Sequence, residues 1–260
     1  MASQRKALVP YVTAGHPNLD TTLELLVELD SAGADVIEVG VPFSDPIADG
    51  PTIQRASHQA LQAGFRLPNL LAGLKRLRGQ LSCRLMLFSY LNPLVQHGLD
   101  RLAGELVECG VDGILMSDLI PEEARPFADP FRRRGIDTVF LAAPTSGRSR
   151  LQSIASASSG FIYLVSRTGV TGACASLPAD VEGLVKEIRE FSDLPVAVGF
   201  GISTPEQVRS VWEVADGAVV GSALVAVVER FGGKQADCVR EAGRFLRLLA
   251  AVRGPLTVQR

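Results

Sequence analysis

The chain has 260 residues, 47% of them hydrophobic and 21% charged, which suits one globular domain with a large core and excludes a mainly disordered chain. Its formal net charge of -2 gives no reason to expect nucleic acid or an acidic membrane as a partner, since either favours a concentrated basic surface. A small molecule is the expected ligand.

The start, residues 1–6, is polar and lacks the apolar core of a signal peptide, and the longest small or apolar run, 217–228, is too short to span a bilayer. A cytoplasmic protein is expected, or one of the plastid stroma if a transit peptide has been removed. The first short apolar run, 7–13, predicts a strand, and an amphipathic stretch at 21–31 predicts the helix after it. Further strands are expected at 35–41 and 84–90, a helix at 102–109, and strands at 112–118, 137–143 and 160–166. A helix at 178–191, a strand at 195–201, a helix at 205–214, a strand at 217–221 and a closing helix at 235–252 complete the pattern. Eight strands rich in Val, Ile and Leu, alternating with helices, predict a parallel sheet buried on both faces and closed as a single (β/α)8 TIM barrel over residues 1–260.

A weak repeat supports that count. Gly33-Ala34-Asp35, Gly110-Val111-Asp112 and Gly135-Ile136-Asp137 each precede a strand, and Ala215-Asp216 echoes them before the eighth. Each Gly fits a left-handed helix cap. These turns mark the stability end of a barrel, whereas the loops after the strands build its active site. A doubly wound open sheet is the alternative, but it usually needs fewer strands and a nucleotide fingerprint that this sequence lacks.

Gly199-Phe200-Gly201-Ile202-Ser203 follows the seventh run and Gly221-Ser222-Ala223 the eighth. These are the usual phosphate-binding loops of a barrel, where bare N–H groups and a helix N-terminus face the anion. Gly169 and Gly172, after the sixth run, are candidates to join them. Glu38 interrupts the apolar run 35–41, and alternation sets its facing opposite to that of Ile37 and Val39. It either points into the mouth, where desolvation would raise its pKa towards a working range, or forms a structural ion pair with a neighbouring Arg. In the next loop Asp45 and Asp49 are open to a chemical role or to shaping a turn. Asp118, ending the fourth strand, serves either the mouth or the loop.

The four lysines, Lys6, Lys75, Lys186 and Lys234, fall in the tail or in helical stretches, so a Schiff-base mechanism has no candidate. His16, His58 and His97 form no cluster with acidic residues and are read as surface or capping histidines, so no metal is expected. Cys83, Cys109, Cys174 and Cys238 stand apart with no Cys-x-x-Cys pair and are read as reduced, mostly buried thiols. A P-loop and a Gly-x-Ser-x-Gly elbow are both missing.

The stretch from Leu8-Val9-Pro10-Tyr11-Val12-Thr13-Ala14-Gly15 through Glu38 to Gln54 closely resembles the tryptophan synthase alpha chain family. The specific segments are Glu38-Val39-Gly40-Val41-Pro42-Phe43-Ser44-Asp45-Pro46 and Ala48-Asp49-Gly50-Pro51-Thr52-Ile53-Gln54. Tyr90-Leu91-Asn92-Pro93, Ser166-Arg167-Thr168-Gly169-Val170-Thr171-Gly172 and both phosphate loops also match, so the likeness covers nearly the whole chain. The resemblance implies a lyase that cleaves indole-3-glycerol phosphate to indole and glyceraldehyde 3-phosphate without metal or organic cofactor. It implies that Glu38 moves protons between the glycerol hydroxyl and the indole ring carbon, while Asp49 accepts the indole N–H. Tyr11, Phe88 and Tyr163 would line the indole pocket, Thr171 would belong to a closing loop, and Gly172, Gly201, Gly221 and Ser222 would hold the phosphate. Asp45 would face a tryptophan synthase beta chain in an alpha2-beta2 heterotetramer.

Some positions depart from the family pattern. His16 stands where an acidic residue commonly precedes Pro17, Ala173-Cys174-Ala175 replaces an Arg-containing segment, and Phe88-Ser89 and Met116-Ser117 are less usual choices. The competing readings are a free-standing lyase of the same family, a regulatory barrel subunit, which intact Glu38 and Asp49 count against, and a sugar-phosphate isomerase, which would need a different acid/base set.

Overall fold

The computed structural model describes residues 6–165, 179–199 and 201–253. Among them the strands are β1 (Ala7–Thr13), β2 (Val36–Gly40), β3 (Arg84–Ser89), β4 (Gly113–Met116), β5 (Asp137–Val139), β6 (Leu141–Ala142), β7 (Ile162–Val165), β8 (Val196–Gly199) and β9 (Gly217–Val220). Every pairing is parallel, and the sheet order is β5-β4-β3-β2-β1-β9-β8-β7-β6. The first and last strands are therefore neighbours, which an open doubly wound sheet does not allow. The two ends of the order, β5 and β6, are consecutive pieces of one run interrupted at Phe140, so the sheet closes as an eight-position barrel. Each of the eight predicted runs contains its strand.

Alternation along the strands divides the core into two. Val9, Met86, Leu115, Val139, Tyr163, Ala197 and Val219 fill the inside of the barrel. Their neighbours Leu8, Ile37, Val39, Leu87, Ile114, Leu164, Val198 and Val220 belong to the larger cluster between sheet and helices, as period-two facing requires.

The helices are α1 (Leu19–Ser31), α2 (Pro51–Gln62), α3 (Leu67–Leu77), α4 (Leu91–His97), α5 (Leu99–Cys109), α6 (Arg125–Arg132), α7 (Arg148–Ala157), α8 (Ala179–Arg189), α9 (Pro205–Val214), α10 (Ser222–Phe231) and α11 (Gln235–Ala250). The start of α1 lies two residues ahead of the predicted one because the Asn18 side chain accepts the Thr21 N–H. α9 opens with a reciprocal capping box between Thr204 and Gln207 and Pro205 in its first turn. α5 ends on Gly110, left-handed at φ 73°. No helix among the described residues is long and apolar enough to cross a membrane.

The Asp repeat has a structural cause. Asp35, Asp112 and Asp216 each accept, through a carboxylate oxygen, a backbone N–H at the start of a neighbouring strand: that of Leu8 at 2.7 Å, Leu85 at 2.9 Å and Val196 at 2.9 Å. Arg253, Arg84 and Arg189 pair with the same three carboxylates. These latches tie strand to strand at the amino-terminal end of the barrel, far from the mouth. Cys109 and Cys238 are buried and Cys83 is half-buried; Cys174 lies outside the described residues.

Candidate functional site

Glu38 is the central residue of β2 and is 1% exposed. Its register partners are Tyr11 on β1 and Met86 on β3, both directed to the inside of the barrel, while Ile37 and Val39 pack outward against helices. No ion pair to Glu38 is found among the described residues, and its Oε1 is buried there without a hydrogen-bond partner. The structural ion-pair alternative therefore has no support among them. Burial pushes the Glu38 carboxyl up to about 8, because the charged form loses hydration and gains nothing in exchange.

Asp49 hangs from the loop between β2 and α2. Burial raises it to about 6, against the opposing effect of a hydrogen bond from Tyr90. The charges of Asp49 and Glu38 both act on the Tyr11 and Tyr163 hydroxyls, which burial holds firmly protonated. Two carboxyls, two buried phenols and the ring of Phe88 therefore share one mouth. Tyr11 meets Phe88 edge-to-face, with ring centroids 5.6 Å apart, and with Ala56, Val225 and Ile53 they make an apolar rim. A flat aromatic substrate fits such a wall.

Gly221 is the N-cap of α10 and Ser222 its first residue, with no acidic side chain in the first turn to compete for an anion. A Cβ at Gly221 would come no nearer than 4.0 Å to Tyr11 and Ile53, so the N-terminus of α10 opens beside the aromatic wall. Gly201 is left-handed, at φ 83°, in the loop ahead of α9. The Gln207 side chain accepts the backbone N–H groups of Ser203 at 2.8 Å and Thr204 at 3.1 Å, fixing that loop to the helix. Thr171 and Gly172 lie outside the described residues, as does Phe200.

Asp45 does not join this group. It is exposed, accepts the Ser44 hydroxyl at 2.5 Å, and with Phe43, Ile47 and His58 lines a separate surface depression of about 320 Å³. The cavity of about 550 Å³ lined by Arg84, Gly113, Asp137 and Phe161 lies at the opposite, amino-terminal end of the barrel, away from the acid/base pair. His16 corrects the reading of surface histidines: it is 3% exposed, neither ring nitrogen has a partner among the described residues, and burial lowers its pKa. His58 is exposed, and His97 pairs with Glu105 at 2.5 Å.

Three further residues shape the mouth. A Cβ at Gly40 would overlap the Tyr11 hydroxyl, and one at Gly199 would sit 2.9 Å from that of Tyr163, so both glycines make room for the rings. Tyr90 touches the Asp49 loop, its hydroxyl accepting the Ala48 N–H at 2.9 Å. The signal for Gly40 and Tyr90 is parity: Gly40 has the facing of Glu38, and Tyr90 that of Phe88.

Comparison with known proteins shows the family and the fold. The family model of the tryptophan synthase alpha chain matches residues 1–252. The chain is 51% identical over 233 residues to the tryptophan synthase alpha chain of Geotalea daltonii, covering 90% of this chain and 88% of that one. In structure it is similar to tryptophan synthase subunit alpha from Legionella pneumophila, with a TM-score of 0.87 at 35% identity over 95% of this chain and 92% of that one. Tryptophan synthase from M. tuberculosis gives a TM-score of 0.84 at 34% identity, with 97% and 94% covered.

Proposed function

The chain belongs to the tryptophan synthase alpha chain family, and on that premise we propose how its own residues carry the reaction. It is a lyase of tryptophan biosynthesis that cleaves indole-3-glycerol phosphate to indole and glyceraldehyde 3-phosphate. The observation that supports our mechanism is the pair of carboxyls raised to different extents in one apolar mouth, about 8 for Glu38 and about 6 for Asp49. At neutral pH the first is mainly protonated and the second mainly ionised, so an acid and an anion are available together.

Glu38 gives its proton to the indole ring carbon that carries the glycerol chain. Positive charge then develops at the ring nitrogen, whose N–H the Asp49 carboxylate accepts, stabilising that charge. As the carbon–carbon bond breaks, the Glu38 carboxylate takes the proton of the glycerol hydroxyl, which becomes the aldehyde. The proton cycle closes on Glu38, so the chemistry needs neither metal nor organic cofactor. Tyr11, Phe88 and Tyr163 hold the ring flat, with Thr171 as a further substrate contact. Gly172, Gly201, Gly221 and Ser222 offer backbone and hydroxyl donors to the phosphate.

The whole chain acts as one domain. Indole passes from it to a separate, pyridoxal-phosphate-dependent beta chain in an alpha2-beta2 assembly. Exposed Asp45 beside Ile47, itself 87% exposed, fits the contact surface. Stimulation of the purified chain by a beta chain tests that arrangement, and its lack would favour a free-standing lyase.

The deciding experiment is Glu38→Gln, which keeps the shape but cannot exchange a proton. General acid/base groups contribute about 10²- to 10⁴-fold, and a residue serving two transfers belongs at the upper end. Turnover should vanish while glycerol phosphate binds as before. Asp49→Asn should be severe but milder, because its amide oxygen still accepts the N–H. A folded Glu38→Gln protein retaining more than about a tenth of parental kcat would overturn the mechanism.

A further inference from the structure

Tyr90 carries no role in the mechanism above, yet the fold holds it from several sides. It follows β3, is 3% exposed, and packs its ring on Phe43 with centroids 5.1 Å apart. The adjoining backbone is fixed on both sides: Ser89 Oγ donates to the Tyr90 carbonyl at 2.9 Å, and Leu91 N–H donates to Asp118 Oδ1 at 2.8 Å. The Ser117 N–H donates to the Ser89 carbonyl at 2.9 Å, which brings the ends of β3 and β4 side by side.

A phenol has one proton to donate and two lone pairs that accept. One lone pair of Tyr90 takes the Ala48 N–H, immediately before Asp49 in the chain. Its proton is left for another acceptor, and the Asp49 carboxylate stands near enough that the phenol lowers its pKa. The remaining lone pair is open to a further donor, and Ser117 lies beside it. The Ser117 hydroxyl is buried and completes no hydrogen bond of ordinary geometry among the described residues, but it is near enough to Tyr90 to lower its pKa. Buried hydroxyls are seldom left unpaired. The Gln54 contacts of the Asp49 loop hold backbone alone: its Nε2 donates to the Pro46 carbonyl at 3.2 Å and the Asp49 carbonyl at 2.9 Å.

We propose that Tyr90 is a positioning residue for the lyase reaction, its hydroxyl taking the Ala48 N–H and the Ser117 O–H while giving its own proton to the Asp49 carboxylate. The inference rests on the reading of Asp49 as the acceptor of the indole N–H. One carboxylate oxygen is bound by the phenol, leaving the other to face the ring nitrogen. Ser117 sets the rotation of the phenolic proton, because a lone pair that accepts from Ser117 directs the O–H away from it and towards Asp49. A loop carboxylate thereby acquires the precision of a strand-borne one.

The test compares Tyr90→Phe and Ser117→Ala with the parent in kcat, KM and the pH dependence of kcat, using glycerol phosphate affinity and Tm as controls for folding. Tyr90→Phe should lower kcat by about 10- to 100-fold, the effect of misplacing a reacting group by about an ångström, with glycerol phosphate affinity unchanged. Its acid limb should move to higher pH, since the carboxylate has lost a donor. Ser117→Ala should move both quantities in the same direction, with a loss of about two- to tenfold, the range of one hydrogen bond. In an Asp49→Asn background, Tyr90→Phe should add little, because the two act through one group.

Folded variants with parental kcat and an unmoved acid limb would overturn the inference, as would a loss confined to KM. Should Tyr90→Phe fail to fold, Ser117→Ala decides by the same two readouts. If Asp49→Asn itself keeps parental kcat, the reading of Asp49 falls and this inference with it. If Asp49→Asn is severe and Tyr90→Phe silent, the inference alone falls.

Discussion

Glu38 projects from a strand into a space bounded by Tyr11 and Met86, whereas Asp49 hangs from a loop whose Ala48 N–H is held by the Tyr90 hydroxyl. The same chemical group therefore titrates at two different places in one mouth. The pH profile of kcat/KM should be bell-shaped, rising as Asp49 ionises near pH 6 and falling as Glu38 loses its proton near pH 8. The limbs belong to the pair when the groups interact, and Glu38→Gln should leave no activity for an alkaline limb to report. A profile rising steadily through pH 8 would contradict the assignment of Glu38 as the acid. Stability carries a second signature. The folded protein holds the Glu38 proton up to about pH 8 and the unfolded chain only to 4.5, so this contribution is complete below pH 4.5 and is lost as pH rises to 8. Thermal melting at pH 8.5 should therefore find Glu38→Gln more stable relative to the parent than at pH 5. Glu38 is legible in the sequence because a charge inside an apolar run is costly to bury and must be either paired or put to use. Asp49 is not separable from a turn residue on composition, and only the resemblance singles it out. The burial of His16 is not legible, since it is imposed by packing that local polarity does not report.

The elements are legible to uneven degrees, for a physical reason in each case. Strands buried on both faces show as apolar runs, so all eight positions are visible, but the break between β5 and β6 at Phe140 leaves no mark on hydrophobicity. Helix ends depend on caps: α9 matches its predicted bounds because Thr204 and Pro205 announce them, and α1 begins early because apolar periodicity alone overlooks the Asn18 cap. The predicted closing helix runs to 252, whereas α11 stops at Ala250 and continues as a 3₁₀ turn, Ala251–Arg253, where Arg253 reaches the Gly33 carbonyl. Helix α10 links element to function, for its N-terminus, where the first N–H groups of a helix have no intrahelical partner, faces the mouth. Gly221→Asp would place a carboxylate there without a steric clash, the nearest atoms being 4.0 Å from a new Cβ. Titration with glycerol phosphate should show affinity reduced by repulsion and KM raised, with Tm little changed. Undiminished glycerol phosphate binding would move the phosphate site elsewhere.

At the scale of the molecule, chemistry and closure occupy opposite ends of one barrel. The mouth holds buried Glu38 and half-buried Asp49, while the far end is tied by Asp35, Asp112 and Asp216. The repeat that announces those latches is visible in the sequence, but Asp137, which shares it, makes no equivalent bond among the described residues and instead lies against Gly160. The seam between first and last strands is guarded by the chain's single tryptophan. Trp212 on α9 is buried, donates its Nε1–H to the Ala7 carbonyl at 2.9 Å, and lies under Arg253 at 5.4 Å. The protein thus carries a built-in fluorophore that watches the seam and is remote from the mouth. Its emission should shift to longer wavelength when the barrel opens in denaturant, in step with loss of helical circular dichroism if closure is part of one cooperative transition. Saturation with glycerol phosphate, which is transparent at these wavelengths, should leave that emission unchanged in the native protein while moving the midpoint to higher denaturant. An emission change that preceded the loss of helix would identify the seam as the place where the barrel first comes apart.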